Sequence, residues 1–342
     1  YDAADPRPDY YRNLPSYYWM DNEDYGRRNF EKAAWAKDAW INDIPEYTHL
    51  NWDRLYNVNW NNYDADGLRR SKYAVEERRV DQNDINLNAS VKWMASKAFT
   101  LTGGVNYKWN RTEYYKKMDD LLGGDYYLNI DQFAERDFAS SPTMVQNDLD
   151  YFLEFGEAKS LKEGDKYGYD YYAHVRNANL WANGALDLGG FKANLALEAG
   201  YAKFWREGLV RKGLFAGLDE NGNEMMYEGK VLTTYDAKTG KAITSKGNSE
   251  IADFLTYSAK LGLQYHFEGG HRIYANGAYF NDAPTFAQSF ISPRTRNSMV
   301  PNLTTVKTAS ADINYQYSNN GYNFRITGFW TNIADQTDMM SF

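Results

Sequence analysis

The sequence predicts an all-β fold, namely an antiparallel transmembrane β-barrel with long extracellular loops, of which this chain supplies about nine to ten strands. Apolar and polar residues alternate with a period of two over segments of roughly ten residues, as in a strand with one lipid face and one polar face. The connections between these segments are alternately short and long. The 342 residues include 30 Tyr, 17 Phe and 10 Trp, yet the mean hydropathy is -0.73. Such aromatic side chains gather where a surface is apolar on one side and wet on the other.

The first predicted hairpin shows the alternation without exception. Between residues 83 and 93 the odd positions carry Ile85, Leu87, Ala89, Val91 and Trp93. The even positions carry Asp84, Asn86, Asn88, Ser90 and Lys92. After a short turn at 95–97, residues 99–108 alternate in the same way. The two segments are therefore predicted to pair as a β-hairpin.

Three further hairpins follow the same rule. They span 179–201, 257–279 and 309–330, and each contains a tight turn rich in Gly or Asn. One row of each hairpin is apolar and is predicted to face lipid, while the other row is predicted to face water or a plug domain. The charged members of the polar rows in the four hairpins include Lys92, Lys108, Glu198, Lys260, Asp312 and Arg325.

The returns between hairpins are long, polar and aromatic, at 112–168, 207–252 and 281–304. Outer-membrane barrels have short periplasmic turns and long outer loops, so these returns are predicted to be extracellular. We interpret residues 1–48 as another outer loop, 51–60 as a rising strand, and 71–81 as an extension of the first descending strand. Residues 1–342 are thus predicted to be part of one outer-membrane barrel domain, with hairpins over 51–342.

The predicted strand count indicates an incomplete barrel. About nine strands is an odd number, whereas bacterial single-chain barrels close on even numbers. Residues 331–342 are predicted to enter another outer loop, and the chain begins without a signal peptide or initiator Met. We therefore expect a processed or partial chain, with its plug domain absent and its barrel continuing at both ends.

Composition excludes several classes of function. No apolar run approaches the ~20 residues of a membrane helix. Cysteine is absent, which excludes disulfides, thiolate metal sites and cysteine nucleophiles. The formal net charge is -8. Because no basic stripe or nucleic-acid motif is present, nucleic acid is not a predicted partner.

No catalytic, cofactor-binding or metal-binding residue is predicted, and the chain is not predicted to be an enzyme. The acidic clusters at 64–67, 119–120 and 219–224 lack the spacing of a calcium-binding EF-hand, and Asp- and Asn-rich turns explain them better. His266 and His271 flank a tight turn and could meet across it, but two imidazoles alone make a weak metal site. We interpret the four histidines, which include His49 and His174, as surface or turn residues.

Tyrosine-rich pairs recur in the predicted loops, and two roles are open for them. Their rings could stack on a sugar, cofactor or peptide, or they could pack the loops together and anchor them at the membrane interface. We favour packing. The pairs lie at 10–11, 17–19, 114–115, 126–127 and 171–172.

Several segments resemble the barrel part of TonB-dependent receptors of the Bacteroidetes. They are DPRPDYYRNLPSY (5–17), NWDRLY (51–56), DLLGGDYY (120–127), APTF (283–286) and SPRTRN (292–297). The resemblance implies a 22-stranded barrel with an N-terminal plug that takes up a bulky solute, such as a siderophore, cobalamin, glycan or peptide, using TonB and inner-membrane energy. It also implies a location in the cell outer membrane. The expected partners are outer-membrane lipid and lipopolysaccharide, TonB acting through the plug, and a surface lipoprotein.

Two other interpretations remain. A soluble β-sandwich or propeller also has alternating strands, but soluble strands usually run about 5–6 residues, which is shorter than the segments here. A passive outer-membrane pore, or a surface binding or structural β-protein without transport, would share the barrel but lack a plug and a TonB-contacting segment.

Overall fold

The computed structural model describes residues 5–19, 21, 28–319 and 321–337. The helices are α1 (Phe30–Ile41), α2 (Pro45–Thr48), α3 (Trp52–Trp60), α4 (Gln132–Phe138), α5 (Leu149–Phe155) and α6 (Phe286–Ser289), with 3-10 helices at Tyr11–Asn13, Pro15–Trp19 and Gly213–Phe215. The strands are β1 (Val75–Met94), β2 (Phe99–Asp120), β3 (Tyr127–Leu128), β4 (Ser160–Leu161), β5 (Lys166–Asp187), β6 (Phe191–Gly208), β7 (Met226–Tyr227), β8 (Lys230–Val231), β9 (Gly247–Asn248), β10 (Ala252–Phe267), β11 (His271–Asp282), β12 (Val306–Asn319) and β13 (Tyr322–Ala334).

Eight long strands form one sheet in chain order, β1-β2-β5-β6-β10-β11-β12-β13, with the short β9 added to β6. The pairs with a described register are antiparallel. The predicted antiparallel all-β fold class is therefore confirmed, and so are the four hairpins with short turns. Within the described ranges the sheet is open, because β1 and β13 each pair on one side only. Among these residues, no helix is both long enough and apolar enough to cross a membrane.

The register confirms that the sheet has one apolar face and one polar face. Leu261 lies opposite Leu195 on one neighbouring strand and opposite Gly277 on the other. The same face remains exposed, for example 73% at Leu255. An apolar surface of this extent needs an apolar environment. We call it the outward face and the opposite, polar surface the inward face.

Aromatic side chains bound the outward face at both ends. Those near the short turns include Phe191, Tyr265, Phe267, Tyr315, Tyr317 and Phe324. Those near the far ends of the strands are Tyr107, Tyr201, Tyr257, Tyr279 and Trp330. The ten-residue step from Phe191 to Tyr201 spans roughly 33 Å along the strand, or about 23 Å after a tilt of ~45°, which is close to the ~25 Å apolar band of outer-membrane barrels.

The predicted rising strand at 51–60 is wrong, because these residues form helix α3. The side chain of Asn51 caps the helix by accepting a hydrogen bond from the Arg54 amide at 2.9 Å. Leu55 and Asn59, one turn apart, are the buried residues of the helix. This helical spacing outweighs the short alternation in the sequence. The long strands therefore number eight within the described residues, which is an even number where the sequence predicted an odd one.

Several predicted loop boundaries also change. Strand β2 continues to Asp120 and β5 begins at Lys166, so the connection predicted at 112–168 is shorter. The connections predicted at 207–252 and 281–304 agree with the ends of β6, β10, β11 and β12 to within about two residues. Residues 331–334 complete β13 and do not enter a loop. The predicted 1–48 loop contains α1, α2 and two 3-10 helices, while its residues 1–4, 20 and 22–27 lie outside the described part.

The chain divides into two compact units, where the sequence predicted one domain. Unit 1 comprises Tyr1–Arg78 and Lys116–Gly168. Unit 2 comprises Arg79–Tyr115 and Tyr169–Phe342. Unit 2 contains the two-faced sheet, whereas unit 1 contains α1 to α5 and the β3–β4 pair.

Candidate functional site

Unit 1 contains a cavity of about 460 Å³, which lies within the size range of small-molecule sites. Among the described residues, five basic and three acidic side chains line it. Its basic side chains include Arg7, Arg70 and Lys72, and its rings are Tyr73, Tyr127 and Phe133. A cavity with rings and charges of both signs suits a polar ligand that offers a flat surface for stacking.

Glu76 is the ionic centre of this cavity. Its Oε2 accepts hydrogen bonds from Lys116 Nζ at 2.7 Å and from the Tyr167 hydroxyl at 2.5 Å. Its Oε1 accepts from Arg78 Nε at 2.7 Å. Burial raises the pKa of Glu76, but these donors outweigh burial and lower the pKa to about 2. Burial and the carboxylate both raise the pKa of the Tyr167 hydroxyl, so it stays protonated and donates.

A small apolar cluster supports the floor of the cavity. Met118 and Leu161 are fully buried, and Leu121 is nearly so. The rings of Tyr127 and Tyr167 pack against this cluster and meet edge to face, with centroids 6.0 Å apart. Tyr127 therefore has one side in the cluster and another at the cavity.

Asn59 joins α3 to the rest of unit 1. Its Nδ2 donates to the carbonyl oxygens of Tyr73, Leu121 and Leu122 at 2.8, 3.0 and 3.2 Å. Its Oδ1 accepts from the amides of Lys72 and Tyr73. Since Asn59 is fully buried, its amide replaces water as the partner of these backbone groups.

The tyrosine-rich pairs mainly pack, as we favoured. Tyr11, Tyr17 and Tyr18 form a chain of edge-to-face contacts, and Tyr18 packs on α1. In unit 2, Tyr114 and Tyr171 stack at 5.1 Å. Of the predicted pairs, the one at 126–127 reaches the cavity of unit 1, through Tyr127.

The inward face of unit 2 is a ladder of cross-strand polar contacts. Lys108 lies 3.9 Å from Asp84, Glu198 accepts a hydrogen bond from Asn179, and Asp312 accepts one from Asn276. The predicted inward residues Lys92, Lys260 and Arg325 share this face by alternation or register. Larger side chains also occur there, namely Trp181, Phe280 and Phe329.

A hollow of about 510 Å³ opens on the inward face near the short turns. Its lining includes Lys97, Lys192, Asn194, Gln264 and Asn276. These polar side chains would be costly in lipid but are suited to water or to another polar surface.

The acidic clusters at 64–67 and 219–224 lie in turns, as predicted, whereas the prediction is wrong for 119–120, which ends strand β2. Asp64 Oδ1 accepts from the amides of Asp66 and Leu68. Asp219 Oδ1 accepts from the amides of Asn221 and Asn223. These contacts occupy the carboxylates with their own turns.

The histidines lie apart. His266 pairs with Arg272 in the register and His271 with Phe267, so the two imidazoles lie on opposite faces of the sheet and do not meet. His49 lies 3.3 Å from Asp43, and His174 lies 2.7 Å from Glu207. His174 is buried, so its interpretation as a surface residue is wrong.

No group of three or more His, Asp or Glu side chains that could hold a metal ion occurs in the part of the chain that the structure describes.

The roles of Glu76 and Asn59 were not predicted from the sequence. Glu76 contacts residues 40 and 91 positions away, and Asn59 contacts residues up to 63 positions away. No local spacing signals such pairs. The capping residue Asn51, followed by Leu55 and Asn59 at one-turn spacing, was the available signal for α3.

Comparisons with known proteins show a likeness to solved structures but none to a family model or a curated protein. No family model matches the sequence, and no curated protein matches it. Among solved structures, the chain is similar to one described as "Copper transporter OprC", with 11% sequence identity and a TM-score of 0.47. The match covers 76% of this chain and 32% of that chain, so this chain spans about a third of the length of that transporter.

Proposed function

We propose that this chain forms part of the wall of an outer-membrane β-barrel transporter. One observation carries the proposal. The outward face is apolar and exposed across successive strands in register, with aromatic side chains at both ends, while the inward face is polar. A soluble protein would bury such a face, whereas a membrane barrel exposes it to lipid.

The transported solute is proposed to be bulky and polar, and captured by the long connections on the extracellular side. The cavity of unit 1 supports this role, because it is lined by residues of those connections and of the adjoining strand ends. Its volume and its mixture of rings and charges suit part of a siderophore, cobalamin, glycan or peptide. The sequence segments quoted above favour a TonB-dependent receptor of the Bacteroidetes type, driven by inner-membrane energy through a plug.

Conductance separates this proposal from a passive pore. The purified full-length protein would be inserted in a planar lipid bilayer, and its binding to the periplasmic domain of TonB would be measured separately. We expect TonB binding and a closed channel, since a plugged barrel conducts poorly. Steady open conductance without TonB binding would favour the passive pore. Failure to enter a bilayer in any lipid would exclude both.

A further inference from the structure

Basic and aromatic side chains cluster on the outward face of unit 2, immediately beyond the aromatic residues at the far ends of the strands. Lys203 follows Tyr201 on the outward face of β6, and Arg176 lies directly opposite Lys203 on β5. Arg111 lies on the outward face of β2 by alternation from Tyr107. We call Arg111, Arg176 and Lys203 the outer basic cluster.

Arg176 is held between two indole rings. Its guanidinium carbon lies 4.6 Å from the ring centre of Trp109 and 5.2 Å from that of Trp205. One terminal nitrogen donates to the backbone carbonyls of Asn110 and Val175. A guanidinium has five N–H groups, so the stacking fixes the charge in place while donors remain for a ligand.

Arg111 repeats this arrangement on the neighbouring strand. Its guanidinium carbon lies 4.8 Å from the ring centre of Tyr172. Its Nε is shielded from solvent and has no hydrogen-bond partner. A shielded charged donor without an acceptor is costly, and a bound oxyanion would satisfy it.

Among the described residues the outer basic cluster forms no ion pair, although Asp253 lies opposite Lys203 on β10 and accepts a hydrogen bond from the Tyr201 hydroxyl. The nearby Glu207 is engaged by His174 at 2.7 Å. By contrast, Lys307 on the outward face of β12 pairs with Asp335 at 2.7 Å. Like charges directly opposite on neighbouring strands are destabilising. Asp253 offsets Lys203 from the other side, so an anion from outside the chain would relieve the two arginines.

We propose that the outer basic cluster binds the phosphate groups of an outer-leaflet glycolipid, namely lipid A of lipopolysaccharide. This inference rests on the proposed outer-membrane location. The cluster lies one step beyond the apolar band, at the level of the lipid headgroups. The planar guanidinium of arginine presents N–H donors at a spacing that matches two phosphate oxygens. Indole rings have an apolar body and a polar tip, which suits the membrane interface.

The test compares two variants of the full-length protein, purified in detergent and reconstituted in phosphatidylcholine vesicles. The triple variant Arg111→Gln, Arg176→Gln, Lys203→Gln removes the cluster, and Lys307→Gln is the matched control. Native mass spectrometry measures bound lipid A, added either phosphorylated or enzymatically dephosphorylated. With three basic residues lost, we expect affinity for phosphorylated lipid A to fall by roughly a hundredfold in the triple variant, and to stay unchanged in the control.

Each other outcome has a defined meaning. Equal binding of phosphorylated and dephosphorylated lipid A would overturn the inference, as would equal binding by the wild type and the triple variant. Displacement of lipid A by millimolar inorganic phosphate would assign the cluster to free phosphate and overturn the lipid assignment. Failure of the wild type to insert in vesicles would instead reject the proposed function. The charge-preserving variant Lys203→Arg retains binding if the triple variant fails through lost charge and not through misfolding.

Discussion

Asn59 and Glu76 carry polar interactions that join separate segments of unit 1. Each is surrounded by partners from distant parts of the chain. A buried polar group is expensive when one partner is removed, because the groups left behind remain away from water. The effect of substituting either residue should therefore exceed that of an exposed residue on the same element.

Replacing Asn59 by alanine should destabilise unit 1. The variant leaves the carbonyls of Tyr73, Leu121 and Leu122 without their donor, at a cost of roughly 3 kcal/mol. Hydrogen exchange of the segment 117–130 in the full chain measures it. Asn57, exposed on the same helix, supplies the control Asn57→Ala. Equal protection in the two variants would contradict the proposed role of Asn59.

The ion pair at Glu76 should make unit 1 sensitive to acid. Its folded pKa of about 2 lies below the ordinary value of 4.5. Its stabilising effect is therefore complete above pH 4.5 and is lost as pH falls toward 2. The effect amounts to at most about 3 kcal/mol. Limited proteolysis of the full chain across this range should show acid loosening of residues 116–168. In Glu76→Gln the added loosening between these pH values should be absent; unchanged acid sensitivity would refute the assignment.

At the scale of a strand, alternation decides which side chains can be charged. Neighbouring residues on β6 point to opposite faces, as the pairs Leu195↔Leu261 and Asn194↔Gly262 show. Lipid cannot solvate a charge, whereas the inward face already carries Lys192 and Glu198.

Leu195→Arg should impair assembly, whereas Asn194→Arg should be tolerated. A basic residue on the lipid face near the midplane costs ~2–4 kcal/mol. The yield of folded protein in outer-membrane vesicles, scored by the shift of unheated protein on a denaturing gel, compares the two variants. Equal yields would refute the assignment of outward and inward faces.

Glycine positions in the strands differ in how closely the neighbours approach. A Cβ on Gly104 would lie 2.4 Å from the Ala89 carbonyl oxygen and 3.0 Å from the Trp181 ring. A Cβ on Gly277 would meet its nearest neighbour, the Ser310 carbonyl oxygen, at 4.0 Å. Gly104→Ala should therefore lower the midpoint of urea unfolding by the equivalent of about 1–3 kcal/mol, while Gly277→Ala should not. A larger loss at Gly277 would show that the spacing around these strands is not as described.

At the scale of the whole molecule, the short turns between strands all lie at one edge of the sheet, and the long connections all lie at the opposite edge. In outer-membrane barrels this asymmetry distinguishes the periplasmic side from the outside. The connection between β6 and β10 is thus predicted to lie outside the cell, and the turn between β10 and β11 on the periplasmic side.

The absence of cysteine makes this orientation directly measurable. A single cysteine at exposed Lys238 should react with a membrane-impermeant maleimide in intact cells. One at Glu268, in the turn between β10 and β11, should react only after the outer membrane is permeabilised. The reverse pattern would invert the proposed orientation, and reaction of both in intact cells would place the sheet outside the bilayer.

The amino-acid sequence by itself determined the four hairpins, their turns and their two faces. Period-two alternation is a local property, and the register keeps each predicted row, such as Ile313 and Ile326, on its own face. Only the tertiary structure decided that 51–60 is helical, that Glu76 is held by Lys116 and Tyr167, and that Arg176 lies opposite Lys203. The physical reason is that the burial of a helix, and the identity of the groups around a charged side chain, depend on segments far away in the chain. No periodicity within one segment encodes which distant segments will be its neighbours.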